Sequence, residues 1–264
     1  MRYRNLPDLV VIRHAEAEIN RQIAQLRFGM TSFADRIVDS APNWESPLTP
    51  GGVADSQTIG TWVYHNLPWP DRLVYSPIVR CQETAGHMGM QWENWHQNWE
   101  EDVSARERHF GSHNQVNNPQ ETEAFLSSQE ARNADPISWK AHDGGEDFFD
   151  VAERAKLFLG GIQGSCRTTL VVTHSWFIWA LRYTIERIPL DTIREMVLDP
   201  SQRIGYCDVF QYSSEGPGGS EADYLTWART IRLPDPPQAS EGWEYLNAYR
   251  PVGAAELLSR CQQR

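Results

Sequence analysis

Three short apolar runs with β-branched members, each followed at once by a helix-compatible segment, constrain this chain more than any other feature. Asp8 to Ile12 precedes a polar stretch starting near Glu16, Arg72 to Ser76 precedes SPIVRCQETAGHM, and Thr168 to Thr173 precedes HSWFIWALRYTIERI. A nearly continuous apolar run of this length predicts a buried strand. Strands alternating with helices predict an α/β domain with a largely parallel sheet, whose ligands bind beyond the carboxyl ends of the strands. Each of the three strand ends here carries Arg or His.

The rest of the chain fits around that core. Leu48 to Val63 (LTPGGVADSQTIGTWV) is predicted to be a helix, with Thr49 as N-cap and Pro50 at its first position. Arg21 to Pro47 has no clean period, and a connection of that size is often a lid or binding loop, with Phe28, Phe33 and Trp44 as its apolar underside. Trp92, Trp95 and Trp99 recur at three and four residues, which reads as a helical stripe. YCDVFQY and DYLTWARTIRL flank the Gly/Ser-rich SSEGPGGSEA and predict a closing pair of strands. PDPPQAS then breaks the chain before a short terminal helix around Gly253 to Cys261. With 264 residues and 40% hydrophobic content, residues 1–264 are expected to form a single domain.

Charge and cysteines narrow the function. A formal charge of -11 gives no global field for nucleic acid or an anionic membrane, so neither is an expected partner and an anionic substrate must be held by local cations. Almost all of the 24 Lys and Arg residues are arginine, whose planar fork suits phosphate. Cys81, Cys166, Cys207 and Cys261 are scattered, without the spacing of a metal site, and the apolar run before Arg13 is too short for a signal peptide or a membrane span. A cytoplasmic protein with free thiols is expected, with no metal and no cofactor.

The chemistry-bearing residues gather at the predicted sheet edge. Arg13 and His14 end the first strand, with Ala15, Glu16 and Asn20 just beyond. Arg80 lies one helical turn past Ser76, His174 ends the third strand, and Glu107 sits in the arginine-rich ARERHFG between them. Two arginines and two histidines make a cationic pocket for a phosphoryl group, and a carboxyl group supplies a proton donor. Arg108 is a further candidate for substrate contact, whereas His109 and His113 are expected to be structural. Glu146 and Arg154 are spaced for a common helix face and read as an ion pair at least as readily as catalytic groups.

Taken in order, these residues resemble the histidine phosphatase superfamily, which includes the cofactor-dependent phosphoglycerate mutases. Its R-H-G-E-x-x-x-N motif is similar to Arg13, His14, Ala15, Glu16 and Asn20, with alanine in place of glycine. Its L-T-x-x-G is matched by Leu48, Thr49 and Gly52, and its S-x-x-x-R-x-x-x-T-A by Ser76, Arg80, Thr84 and Ala85. The E-R-H-Y-G segment looks like Glu107 to Gly111. The G-E-S segment with its later arginine looks like Gly145, Glu146, Asp147 and Arg154, and the second histidine strand looks like LVVTH followed by Ser175. The resemblance runs from about Leu9 to Tyr212, leaving 213–264 as a C-terminal hairpin and tail. It implies a phosphoglycerate mutase-like three-layer α/β/α sandwich around a mostly parallel central sheet.

It also implies a metal-independent phosphatase acting on a small phosphorylated metabolite. His14 would be the nucleophile and Glu107 the proton donor, while Arg13, Arg80, His174 and Asn20 would hold the phosphoryl oxygens. A phosphoglycerate mutase is the alternative, but the interval from Gly111 to Gly145 is short and lacks the W-R-R-S-Y-like stretch expected of mutases. A non-catalytic phosphate-binding module is the other alternative, although such proteins usually lose the nucleophile or the acid.

Overall fold

The chain alternates strands and helices in the order β1 (Asp8–Arg13), α1 (Glu18–Arg27), α2 (Pro50–Asn66), β2 (Arg72–Tyr75), α3 (Val79–Gly89), β3 (Trp99–Glu101), α4 (Phe148–Ile162), β4 (Thr168–Thr173), α5 (Ser175–Glu186), α6 (Leu190–Leu198), β5 (Val209–Ser213), β6 (Trp227–Ile231) and β7 (Glu244–Tyr245). The computed structural model describes residues 5–27, 43–92, 98–111, 131–141, 143–164, 166–216, 224–232, 242–246, 254 and 259. The seven strands form one sheet in the order β3-β2-β4-β1-β5-β6-β7. The three apolar runs are its centre: β2, β4 and β1 lie side by side in parallel, with β3 parallel on one flank and β5, β6 and β7 antiparallel on the other.

The near-continuous apolar runs follow from burial on both faces, because successive side chains point to opposite sides of a strand. Leu9 and Val11 of β1 and Val171 of β4 pack with Phe148 and Phe158 of α4 and Phe177 of α5. Val10 and Ile12, with Leu170 and Val172, pack with Ile59 and Val63 of α2 and with Cys81 and Met88 of α3. The result is the expected three-layer α/β/α arrangement. Among the described residues no helix is long and apolar enough to cross a membrane.

Helix α2 starts where expected and runs three residues past Val63. Thr49 accepts the Gly52 N–H at 2.9 Å as its N-cap, and Pro50 occupies the first turn, where a missing N–H is harmless. The Thr49 N–H donates to the Glu16 carbonyl at 2.9 Å, docking the helix against the loop that follows β1. That contact needs a glycine: a Cβ on Gly52 would lie 2.2 Å from the Glu16 oxygen.

The predicted pair of closing strands is present as β5 and β6, although residues 217–223 between them lie outside the described residues. Outside them too are Phe28, Phe33, Trp95, His113 and most of the expected terminal helix. The tryptophan stripe is corrected. Helix α3 ends at Gly89, Trp92 sits in the following turn and donates to the Gly60 carbonyl at 2.8 Å, and Trp99 belongs to the edge strand β3. The two rings stack at 5.9 Å, so their helix-like spacing spans a change of element.

Gly52→Ala is expected to lower stability by about 1–3 kcal/mol, the usual penalty for forcing a group into packed backbone. Gly86→Ala, in a helix with nothing within 4 Å of the new methyl, should leave stability unchanged or raise it by up to about 1 kcal/mol. Chemical denaturation of both variants checks this, and equal midpoints would contradict the packing argument.

Candidate active site

His14 leaves the end of β1 with its N–H bonded to the Thr173 carbonyl at 2.8 Å, which ties it to the end of β4. Its Nδ1 lies 2.7 Å from the Ala15 carbonyl. A carbonyl only accepts, so Nδ1 carries the hydrogen and Nε2 keeps the lone pair. Arg80 Nε donates to that Nε2 at 3.1 Å. The ring is buried, and its pKa lies well below 6.5, first because of burial and then because of the fields of Arg80 and Arg13; the Ala15 carbonyl opposes them. His14 is therefore a neutral imidazole whose lone pair faces a guanidinium.

Arg80 lies in the first turn of α3 and joins the two histidines. Its Nη2 donates to His174 Nδ1 at 3.3 Å, and its Nη1 donates to the carbonyl and Oδ1 of Asn43 at 3.0 and 3.1 Å. With Nδ1 accepting, His174 Nε2 donates to Ser76 Oγ at 2.8 Å. The two imidazole centroids are 5.0 Å apart. Burial, followed by Arg80, also holds the His174 pKa well below 6.5. Thr84 completes the motif by accepting the Ala15 N–H at 3.1 Å while donating to the Arg80 carbonyl at 2.6 Å. Cys81 Sγ is 3.3 Å from His174 Nε2, but burial pushes its pKa up to about 12, which keeps it a thiol rather than a competing nucleophile.

Arg13 sends Nη1 to the Ile204 carbonyl at 2.6 Å and lays its guanidinium over the Tyr206 ring at 4.1 Å. Its buried Nε has no hydrogen-bond partner among the described residues. Burial lowers the pKa of both Arg13 and Arg80, with Glu107 among the groups that oppose this. An arginine keeps its charge under such a shift, so this end of the sheet holds two desolvated cations.

Glu107 follows the 3-10 turn Val103–Ala105 and faces the N-terminus of α5. Its Oε1 accepts the N–H groups of Arg108 and Trp176 at 2.9 and 3.2 Å, and its Oε2 accepts from Ser175 Oγ at 3.4 Å. The segment carrying it is clamped from α4. Arg154 donates to the carbonyls of Ser104, Arg106 and Glu107 at 2.6, 2.9 and 3.3 Å. It also pairs in a bidentate manner with Glu146, at 2.8 Å for each bond. Glu146 in turn holds Arg106 at 2.7 Å and the His109 N–H at 2.8 Å. Burial pushes the Glu146 pKa up, but Arg154, the His109 N–H and Arg106 outweigh it and leave the pKa lowered. Glu146 and Arg154 thus form an ion pair that positions the segment bearing Glu107.

The structure brings His14, Arg13, Arg80, His174 and Glu107 together. Arg108 is a correction. Its side chain is buried and its donors go to backbone carbonyls: Nε to Glu146 at 2.8 Å, Nη1 to Pro136 at 2.6 Å and Nη2 to Trp139. Burial lowers its pKa to about 10, and it ties two segments together rather than presenting a fork to a substrate. Asn20 lies in the first turn of α1, where its Oδ1 accepts the Ala17 N–H at 3.3 Å as a cap. Tyr206 and Asn43 are site neighbours that sequence reasoning missed. Tyr206 lies 6.0 Å from His14, ring to ring, on a turn before β5 without apolar period, and Asn43 follows a segment with no period at all.

Beside Arg80 and Glu107 opens a cavity of about 150 Å³ whose lining combines Trp44, Pro77, Ile78 and Phe110 with polar neighbours that include Asn43 and His109. Among the described residues no group of three or more His, Cys, Asp or Glu is arranged to hold a metal ion.

The two neutral rings make stability depend on pH. An unfolded chain binds protons on these histidines near pH 6.5 and the folded chain does not, so folding weakens as the pH falls through 6.5. Between pH 7.5 and 5.5 each ring should cost about 1.4 kcal/mol, and His14→Gln should remove about half of the combined effect. Urea unfolding at the two pH values measures this, and a stability that did not change would overturn the neutral assignment.

Comparison with known proteins fits this geometry. The model of the histidine phosphatase superfamily (branch 1) matches residues 9–205. No curated protein matches the chain. A mycobacterial glucosyl-3-phosphoglycerate phosphatase solved with inorganic phosphate superimposes with a TM-score of 0.59 at 17% identity, covering 89% of this chain and 100% of that one. Bacillus stearothermophilus YhfR gives 0.56 at 21% identity, covering 82% and 94%, and a phosphoglycerate mutase from Bacillus anthracis gives 0.51 at 21%, covering 80% and 88%. At these identities the structural likeness is one of fold, while the sequence model spans most of the chain and all three central strands. The chain belongs to the histidine phosphatase superfamily.

Proposed function

We propose that the protein is a metal-independent phosphatase that hydrolyses a small phosphorylated metabolite through a phosphohistidine. The observation that carries this reading is the tautomer of His14: the Ala15 carbonyl fixes the hydrogen on Nδ1, leaving the Nε2 lone pair beside Arg80. A phosphoryl dianion held by Arg13 and Arg80, and by His174 once its Nδ1 takes up a proton in the field of the dianion, would place phosphorus at that lone pair. The orphaned Arg13 Nε is a donor suited to one of its oxygens. Asn20 can add a neutral donor through its amide.

His14 Nε2 attacks phosphorus as the bond to the alcohol oxygen breaks, and protonated Glu107 gives its proton to that oxygen. Water then attacks the phosphohistidine, Glu107 takes a proton from it, and inorganic phosphate leaves with His14 neutral again. The two guanidinium groups supply the charge stabilisation that a metal gives at other phosphoryl-transfer sites.

Hydrolysis is favoured over mutase chemistry by the cations that are already engaged. A mutase must hold a carboxylate besides the phosphate, yet Arg106 is paired with Glu146, Arg108 donates to carbonyls, and the sequence of residues 112–130 contains no Lys or Arg. Retention of both His14 and Glu107 weighs against a non-catalytic module. The acidic chain suits neither nucleic acid nor an anionic membrane, and the buried thiols of Cys81 and Cys207 suit a reducing cytoplasm.

Folded His14→Ala should keep less than a few per cent of turnover on p-nitrophenyl phosphate and form no acid-labile phosphoenzyme, and substantial residual activity would remove His14 from its role. Wild type given 3-phosphoglycerate with its bisphosphate primer should release phosphate rather than isomerise the substrate. Glu107→Gln should slow alkyl phosphates about 10²–10⁴-fold and p-nitrophenyl phosphate far less, provided chemistry limits both, because p-nitrophenolate departs without a proton. Equal losses on the two substrates would count against Glu107 as the acid.

A further inference from the structure

The cavity beside Glu107 bears on what the phosphate is attached to. In the proposed reaction Glu107 protonates the leaving oxygen, so the alcohol part of the substrate lies on the Glu107 side, where this cavity opens. Its apolar lining is Trp44, Pro77, Ile78 and Phe110. Asn43, Arg80, Arg106, Glu107, Arg108 and His109 complete the lining, and most of their polar atoms already have partners; His109 Nδ1, for example, accepts the Gly111 N–H at 3.2 Å. Asn43 accepts from Arg80 through both its carbonyl and Oδ1, Arg106 is held by Glu146, and Arg108 donates to carbonyls. A polyol or sugar seated here would trade hydrogen bonds to water for contacts with apolar walls, and an unsatisfied polar group is costly.

Size points the same way. A volume of about 150 Å³ with aliphatic and aromatic walls is enough to take a benzene ring. Indole and phenyl walls also offer the edge-to-face and offset contacts that an aromatic guest prefers. Trp44 is 38% exposed, as expected of a wall whose free face awaits a guest rather than of a core side chain.

Resting on the phosphatase reading for its orientation, we infer that the preferred substrates are phosphomonoesters whose alcohol carries an apolar, ring-bearing group close to the phosphate, rather than sugar or polyol phosphates. Trp44 and Phe110 then determine specificity, and Arg13, Arg80 and His174 bind what all phosphomonoesters share.

The test compares 2-phenylethylphosphonate with 2,3-dihydroxypropylphosphonate, neither of which can be hydrolysed, by calorimetry on the full chain with inorganic phosphate as reference. The phenyl compound should bind at least about tenfold more tightly than the diol. In Trp44→Ala and in Phe110→Ala that advantage should fall below about threefold, while the affinity for inorganic phosphate stays the same. Equal affinities in wild type, or tighter binding of the diol, would overturn the inference. So would an advantage that persists in both variants, since the ring would then sit elsewhere. Absence of turnover on p-nitrophenyl phosphate would refute the phosphatase reading separately, and this binding comparison would still give its own answer.

Discussion

Everything at the site depends on burying two guanidinium groups at one end of the sheet with, among the described residues, no carboxylate bound to either. Removing cations from water costs several kcal/mol each, and a salt bridge is the usual remedy. Here Arg13 instead has the Ile204 carbonyl and the face of Tyr206, and Arg80 has two neutral imidazoles and Asn43. Carbonyls and lone pairs satisfy the donors without cancelling the charge, so the field remains available to an arriving dianion. Burial first, and then the same field, keeps His14 and His174 neutral, the state a nucleophilic imidazole requires.

The sheet turns this electrostatic arrangement into fixed distances. Strands β1 and β4 are parallel neighbours in a register that pairs Arg13 with Thr173, so the next residues, His14 and His174, emerge together. Their ring centroids are 5.0 Å apart, close to the roughly 4.8 Å between paired strands. Arg80 reaches them because β2 ends beside β4 and α3 begins within a few residues of that end. Glu107 has no strand to hold it. The Arg154 guanidinium serves instead, binding the backbone carbonyls of Ser104, Arg106 and Glu107, with Glu146 neutralising it.

The parts legible in the sequence were those governed by periodicity and by short-range chemistry. The three central strands, the Thr49 cap and the grouping of His14, Arg80 and His174 all follow from apolar runs and from what stands at their ends. The rest depends on tertiary contacts. Arg108 looks like a substrate ligand because it directly follows the proposed acid, and only folding brings the Pro136 and Trp139 carbonyls against it. Tyr206 sits on a turn shaped by Cys207 in the left-handed region (φ 57°) and by Asp208, which accepts the Gly205 N–H at 2.6 Å. No periodicity announces such a turn. Trp99 misleads in the opposite way, since a three-and-four spacing continued past the end of α3 into a strand.

Three of the departures from the family motifs are absorbed by local geometry. Ala15 stands where glycine is usual, but its φ is not positive and its methyl joins the apolar cluster with Ile12 and Ala85, while its N–H and carbonyl still bind Thr84 and His14. Asp147, in place of serine, caps α4 through the Asp150 N–H at 2.9 Å, and Asp150 returns the bond to the Asp147 N–H at 3.0 Å. A capping box of this kind anchors the start of the helix that carries Arg154. Ser175, in place of glycine, adds a hydroxyl 3.4 Å from Glu107 Oε2 at the N-terminus of α5. Two of the substitutions therefore bear on the same carboxyl group, one by steadying the helix that clamps its backbone and the other by contacting it directly. Apart from Ala15, the phosphate-binding side has kept the family's residues, and the other two adjustments fall on the proton donor.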